Sequence, residues 1–201
     1  MTGLLKPTCG EYQFAGKDPY KSKENRRYLS GKISIVFQDY TTAVNPRFTV
    51  AEIIKESLQL LSKRTNQKIA FENEISTLLK LVDLDETFAN RFPHQLSGGQ
   101  LQRVSIARAI AVRPQMILFD EAISSLDAHT QVQIMDLLKK LKDDLGLTYL
   151  FITHDLTSVT YLCNKVLFLY QGEITEFMRV ADIAKTHNAY AQKLLRSIIS
   201  F

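Results

Sequence analysis

Three short apolar runs punctuate the chain, and each closes on a polar side chain. Ile33 to Phe37 (ISIVF) ends at Gln38, Met116 to Phe119 (MILF) ends at Asp120 and Glu121, and Thr148 to Thr153 ends at His154. Met116 to Phe119 is too short for a helix and apolar throughout, which suits a parallel strand covered on both faces. Open α/β sheets bind ligands beyond the carboxyl ends of their strands. The pattern therefore predicts that Gln38, Asp120, Glu121 and His154 meet on one edge of one parallel sheet. Between the runs the period changes to that of helices. Thr49 and Glu52 form a capping box before Ile53, Ile54, Leu58 and Leu61, and a second helix over 70–82 is expected to bury Phe71, Ile75, Leu78, Leu79 and Val82. Thr130 to Leu145 reads as an amphipathic helix with Val132, Met135, Leu138 and Leu141 on one face, stopped by Gly146. Val166 to Tyr170 and Glu173 to Phe177 flank Gln171-Gly172 as a β-hairpin, and a last helix carries Tyr190, Leu194, Leu195, Ile198 and Ile199. Residues 1–32 are turn-rich and polar, with one expected short strand at Glu11 to Ala15.

The stretch LSGGQLQRVSIARAIAVRPQMILFDEAISSLD, Leu96 to Asp127, holds the densest chemistry. Ser97 and Gln100 have the spacing of a capping box, so Ser97 is expected to start a helix. Leu101, Val104, Ala107, Ile110 and Ala111 give its apolar stripe, and Pro114 breaks the chain before the second apolar run. A helix N-terminus presents free N–H groups and a partial positive charge. Gly98 and Gly99 leave the backbone there open to a large anion, which points to phosphate recognition. At the end of the following strand, a carboxylate can hold Mg²⁺ through water and the next acid can orient or deprotonate an attacking water.

Composition narrows the setting. The 201 residues, 45% hydrophobic and 23% charged, are enough for one domain with a full core. The formal charge of +4 is mild, and Lys and Arg read as spread along the chain, without the concentrated stripe of a nucleic-acid surface. Cys9 and Cys163 lack metal-ligand spacing and read as ordinary residues of a reducing compartment. His94 and His187 have no partner at metal spacing, and His129 reads as the start of a helix. No apolar run has the length to span a bilayer, and the N-terminus lacks a signal peptide's apolar core. Any membrane role is expected to run through a partner.

LSGGQ at Leu96–Gln100 resembles the signature of the ATP-binding cassette (ABC) ATPases. ILFDE ending at Glu121 resembles their Walker B strand, SSLD at Ser124–Asp127 their D-loop, His154 their switch histidine and Gln38 their Q-loop glutamine. These motifs follow in the family's order, and the resemblance covers nearly the whole chain. The segments QDYTTAVNPRFTVAEII and THNAYAQKLL are similar to the oligopeptide, dipeptide and nickel importers of that family. The implied fold is an α/β P-loop NTPase core with a mostly parallel sheet and a helical subdomain. Its divisions are 1–37 (remnant of the N-terminal β portion), 38–96 (Q-loop and helical subdomain) and 97–201 (signature helix onward).

The resemblance implies ATP and Mg²⁺ as cofactors. Gln38 and Asp120 would bind the metal, Glu121 would be the base or water-orienting group, and His154 would contact the γ-phosphate. Ser97, Gly98, Gly99 and Gln100 would bind the γ-phosphate across a head-to-tail dimer. Asp127 would either join the dimer contact or cap the helix after it. Arg103 and Arg108 are expected solvated or paired on the outer face of the signature helix. Tyr40, Asn45, Pro46, Arg47 and Phe48 would grip a membrane subunit.

The implied partners are a second cassette subunit, transmembrane permease subunits and, indirectly, an extracytoplasmic substrate-binding protein, but no nucleic acid. The implied place is the cytoplasmic face of the membrane, as a peripheral subunit. One element of the family pattern is missing from these residues. A P-loop needs G-x-x-x-x-G-K-[ST] opening a helix. Gly16-Lys17 has Glu11 at the first position, Asp18 after the lysine and then Pro19, while Gly31-Lys32 has Arg26 at the first position. The expectation is a cassette that begins late, either from a misplaced start or from true truncation. Three functions follow: an importer's ATPase subunit, a non-catalytic half that lends LSGGQ to a partner, or a non-transport cytosolic cassette ATPase.

Overall fold

The computed structural model describes residues 6–39 and 41–199, and of 196–199 the backbone alone. Tyr40 and the side chains of Ile198 and Ile199, which the sequence reading used, lie outside the described residues. The three apolar runs form strands β1 (Ile33–Val36), β2 (Met116–Asp120) and β3 (Thr148–Ile152), parallel in the order β1-β2-β3. Val36 stands opposite Phe119 and Phe119 opposite Phe151, so the three strands end level. An aromatic group locks the β2–β3 pair. Phe119 and Phe151 stack with centroids 4.5 Å apart, and Tyr149 meets Phe119 edge-on at 5.1 Å. The Tyr149 hydroxyl donates to the Leu138 carbonyl at 3.0 Å, tying the sheet to the helix that covers it, and burial pushes its phenol pKa up.

Helix α1 spans Lys23–Leu29, α2 Val50–Thr65, α3 Phe71–Leu81, α4 Gly98–Ala111, α5 Ala128–Leu145, α6 Leu156–Leu162 and α7 Ala189–Ile199. The Thr49 cap is reciprocal: Glu52 N–H donates to Thr49 Oγ1 at 3.3 Å, and Thr49 N–H to Glu52 Oε2 at 2.7 Å. Helices α2 to α5 and the sheet share one apolar core, from Ile53, Ile54 and Leu58 through Leu79 and Ile106 to Phe119 and Leu138. A second, smaller core joins α6, the hairpin of β4 (Lys165–Tyr170) and β5 (Glu173–Arg179), and α7 through Leu156, Val159, Val166, Phe168, Ile183 and Ala191. Among the described residues no helix is long and apolar enough to cross a membrane.

Three expectations change. Glu11 to Ala15 is not a strand: Phe14 and Lys17 exchange two backbone hydrogen bonds of 3.0 Å across Ala15-Gly16, both at positive φ, and the segment is a tight turn with one bridge. Two short helices were not expected, α1 behind the Ser22 cap and α6 behind Asp155, which accepts from Thr157 N and Ser158 N. Val132 is 49% exposed, because the buried face of α5 centres on Ile134, Leu137, Leu138 and Leu141. Of the two arginines expected solvated or paired, Arg103 is paired and both are half-buried and bonded to backbone carbonyls. Arg103 Nη1 donates to the Val82 carbonyl at 2.8 Å and pairs with Asp83 at 3.0 Å, while Arg108 Nη1 donates to the Ala43 carbonyl at 2.6 Å. Both arginines staple α4 to its neighbours, since α4 is buried on most of its circumference.

Candidate functional site

The level strand ends bring four of the expected side chains to one edge. Glu121 is central. Its N–H donates to the Ile152 carbonyl at 2.8 Å, so the backbone stays bonded to β3 one residue beyond β2. Its φ of +46° turns the chain sharply at that point. Its carboxylate is held from both flanking strand ends. His154 Nδ1 lies 3.1 Å from Oε1, and Gln38 Nε2 donates to Oε2 over 3.5 Å. A carboxylate braced on both sides keeps its orientation, which suits an acid that must direct a water.

Asp120 faces a different space. With Phe37, Gln38, Asp39, Thr42 and Ala43 it lines a cavity of about 380 Å³. Two carboxylates and an amide face this space and no Lys or Arg lines it, so its walls favour a cation. Gln38 gives its amide nitrogen to Glu121, which leaves the amide oxygen as a donor toward a metal. Among the described residues no cluster of three or more His, Cys, Asp or Glu could hold a metal. A metal here would take few protein ligands, all of them hard oxygens. That fits Mg²⁺, which keeps waters and takes phosphate oxygens for the rest of its shell. Asp39 itself is tied back into the loop. The Thr41 hydroxyl and the Thr42 backbone N–H hold its carboxyl down to about 2, so it stays charged.

The glycine-containing group assembles elsewhere, where the N-termini of α4 and α5 meet. Ser97 and Gln100 form the expected reciprocal cap: Gln100 N–H donates to Ser97 Oγ at 3.3 Å and Ser97 N–H to Gln100 Oε1 at 2.9 Å. The cap occupies the Gln100 side chain and leaves the Ser97 hydroxyl proton and the N–H groups of Gly98 and Gly99 without a helical acceptor. Ser97 and Gly98 are exposed and Gly99 half-buried. Asp127 caps α5, accepting from Thr130 N–H at 3.0 Å and the Thr130 hydroxyl at 2.7 Å. Those bonds, the backbone one first, hold its carboxyl below the usual range.

A contact that the sequence reading missed joins the two caps. A Cβ on Gly99 would lie 2.5 Å from Thr130 Cγ2, so the glycine also permits α4 to sit against α5. The structure thus brings Gln38, Asp120, Glu121 and His154 together at the sheet edge, and Ser97, Gly98, Gly99, Gln100 and Asp127 together at the helix corner. Of the segment proposed to grip a membrane subunit, Asn45, Pro46 and Arg47 are exposed and Phe48 is half-buried.

Comparison with known proteins shows the family. Residues 1–124 match the family described as ABC transporter. The chain is similar to the metal-staphylopine import system ATP-binding protein CntF of Staphylococcus aureus, at 40% identity over 201 residues, covering 100% of this chain and 78% of that protein. It is 40% identical to the nickel import ATP-binding protein NikE of Shigella dysenteriae over 99% of this chain and 74% of that one. With the oligopeptide transport ATP-binding protein OppF of Bacillus subtilis it shares 38% identity over 97% of this chain and 65% of that one. Among solved structures, it resembles the dimeric, post-hydrolysis ATP-binding cassette MJ0796 bound to ADP and Pi, with a TM-score of 0.74, 32% identity and coverage of 89% and 77% of the two chains.

Proposed function

Because the chain belongs to the ABC transporter family, we propose that it is the ATP-hydrolysing subunit of an importer, working in a head-to-tail pair of nucleotide-binding domains. The observation that carries this reading is the bracing of Glu121 by Gln38 and His154 beside the acidic cavity of Asp120. Glu121 orients or deprotonates the attacking water, a role that contributes about 10²–10⁴-fold in such sites. His154 and Gln38 hold its carboxylate in place. Gln38 through its amide oxygen and Asp120 would hold Mg²⁺, which when bound supplies positive charge against the phosphate oxygens. The N–H groups of Gly98 and Gly99 and the Ser97 hydroxyl engage the γ-phosphate of the partner's ATP. Asp127 keeps the α5 cap rigid beneath them. The loop at Asn45–Phe48 and the helices of 38–96 meet the permease subunits on the cytoplasmic face of the membrane. The cargo class, peptides or nickel and other metal complexes, rests on the relatives' names alone.

A second reading has one observation behind it. The capping box at Ser97 leaves the Ser97 hydroxyl proton and the N–H groups of Gly98 and Gly99 open at the head of α4. In that reading the chain serves only a partner's ATP through LSGGQ. The ATPase rate of the chain paired with a complete cassette subunit separates the two. In the leading reading, Glu121→Gln removes this chain's share of turnover. In the second reading Glu121→Gln is silent, while damage at Ser97 to Gln100 stops the partner's site. If neither change alters the rate, both readings fail.

A further inference from the structure

The chain's positive charge is not spread evenly, contrary to the sequence reading. Residues 17–32 hold six Lys and Arg against two acids, a surplus equal to the whole formal excess of +4, and the rest of the chain balances. The fold gathers these six cations. Lys23, Arg26 and Arg27 are spaced three and four apart on α1 and share one side of it, while buried Leu29 anchors another side. Lys21 lies just before the cap. Lys17 and Lys32 both converge on the Tyr28 ring, with Nζ 4.1 Å and 3.4 Å from its centroid. Lys21, Lys23, Arg26 and Arg27 are exposed. Among the described residues, no ion pair includes any of the six.

We propose that this patch contacts an anionic lipid surface, the negatively charged phospholipid headgroups of a bilayer. Cations left unpaired on an exposed helix face suit a broad charged surface better than a small ligand. Their attraction reaches about a Debye length, roughly 10 Å at 0.1 M salt. A single-stranded nucleic acid would want an open aromatic face for stacking. Here the Tyr28 ring is taken by two ammonium groups. The relatives are named as parts of import systems, so a bilayer lies within reach of such a subunit. The proposal needs no nucleotide and no second cassette, and it stands or falls apart from the reading of the sheet edge.

Vesicle co-sedimentation of the purified chain tests it, using phosphatidylcholine vesicles with and without one-third phosphatidylglycerol. The chain is expected to bind only the anionic vesicles and to be released as salt rises from about 0.05 to 0.5 M. Changing Lys21, Lys23, Arg26 and Arg27 together to Gln should weaken partitioning by about a hundredfold or more, since each cation near an anionic surface contributes about fivefold. A control with the same charge change elsewhere, Lys63, Lys68, Lys140 and Lys193 to Gln, should keep most of the binding. Failure to bind anionic vesicles at low salt overturns the proposal, as does equal binding to neutral ones. Equal loss in both variants would mean that net charge, not the patch, is responsible, and would also overturn it. So would a structured RNA that the same four residues retain more tightly than the vesicles. If the quadruple variant folds poorly, Lys23 and Arg27 changed together to Gln, both at exposed positions of α1, should still weaken partitioning by about twentyfold, and no loss there overturns the proposal.

Discussion

Gly99→Ala is the most informative single change, because two physical roles coincide at that glycine. A Cβ there would lie 2.5 Å from Thr130 Cγ2, whereas carbon atoms in contact sit about 3.5–4.0 Å apart. Something must move by about 1 Å. Either α4 lifts from α5, or Thr130 turns about χ1 and gives up its 2.7 Å bond to Asp127. Such overpacking costs about 1–3 kcal/mol. Alanine's better helix propensity offsets up to about 1 kcal/mol of that. The net expectation is a loss of about 1.5 kcal/mol, or a fall of about 3–6 °C in melting temperature for a chain of this size. Thr130→Ser removes the methyl and keeps the hydroxyl for Asp127, so the double variant should melt close to the Thr130→Ser parent. A thermal double-mutant cycle measures this directly. If Gly99→Ala costs the same in both backgrounds, or nothing in either, the proposed contact does not limit the packing. The same pair isolates chemistry from packing. In the Thr130→Ser background, Gly99→Asp brings a negative charge toward a partner's γ-phosphate with the methyl obstacle gone. Loss of paired ATPase there reports on phosphate contact, not on a disturbed α5.

Other expectations follow from single interactions. Arg103→Met should destabilise the chain by about 1.5–3 kcal/mol in urea unfolding, because it strips a charged donor from the Val82 carbonyl. The exposed Asp83 arm adds little to that loss. Ser97→Ala breaks the reciprocal cap of α4 and should cost about 1 kcal/mol by the same measurement. Asp39 has its carboxyl depressed to about 2, so its loop bonds are fully present above the unfolded value of about 3.9 and are lost as pH falls through about 2. An NMR titration in which Asp39 protonates near the ordinary value would contradict the hydrogen bonds to Thr41 and Thr42.

The parts of the fold that depend on local pattern were legible in the sequence. Apolar runs closing on Gln38, Asp120 with Glu121, and His154 gave both the strands and their common edge, since parallel strands in register end together. The caps at Thr49 and Ser97 were readable because a capping box is a four-residue signal. Helices α1 and α6 were not, because seven residues are less than two turns and show no reliable period. Contacts between distant elements left no local trace. Arg103 and Arg108 look like surface residues until Val82 and Ala43 are placed against them. Gln102 falls on what periodicity marks as the polar side of α4, yet it is fully buried, since α4 as a whole packs against α2, α3, β1 and α5. Gly99 read as room for an anion, and its contact with Thr130 emerged only from the fold.

Glu121 joins the local and nonlocal levels. A glutamate at φ +46° sits where glycine, asparagine or aspartate is the easier choice, at a cost of about 1–2 kcal/mol. No local feature explains that choice: Gly at this position would relax the backbone, and the bond from Glu121 N–H to Ile152 would survive it. What Gly would lose is the carboxylate between Gln38 and His154. In a regular strand Asp120 and Glu121 would point to opposite faces of the sheet. The turn at Glu121 instead lets the first acid line the acidic cavity while the second reaches the two flanking strand ends. Strain that the surrounding hydrogen bonds hold, at a residue whose side chain the geometry needs, is the pattern of a functional position. That pattern is independent of the family resemblance, and it favours the reading in which Glu121 acts on water over the one in which it is a bystander.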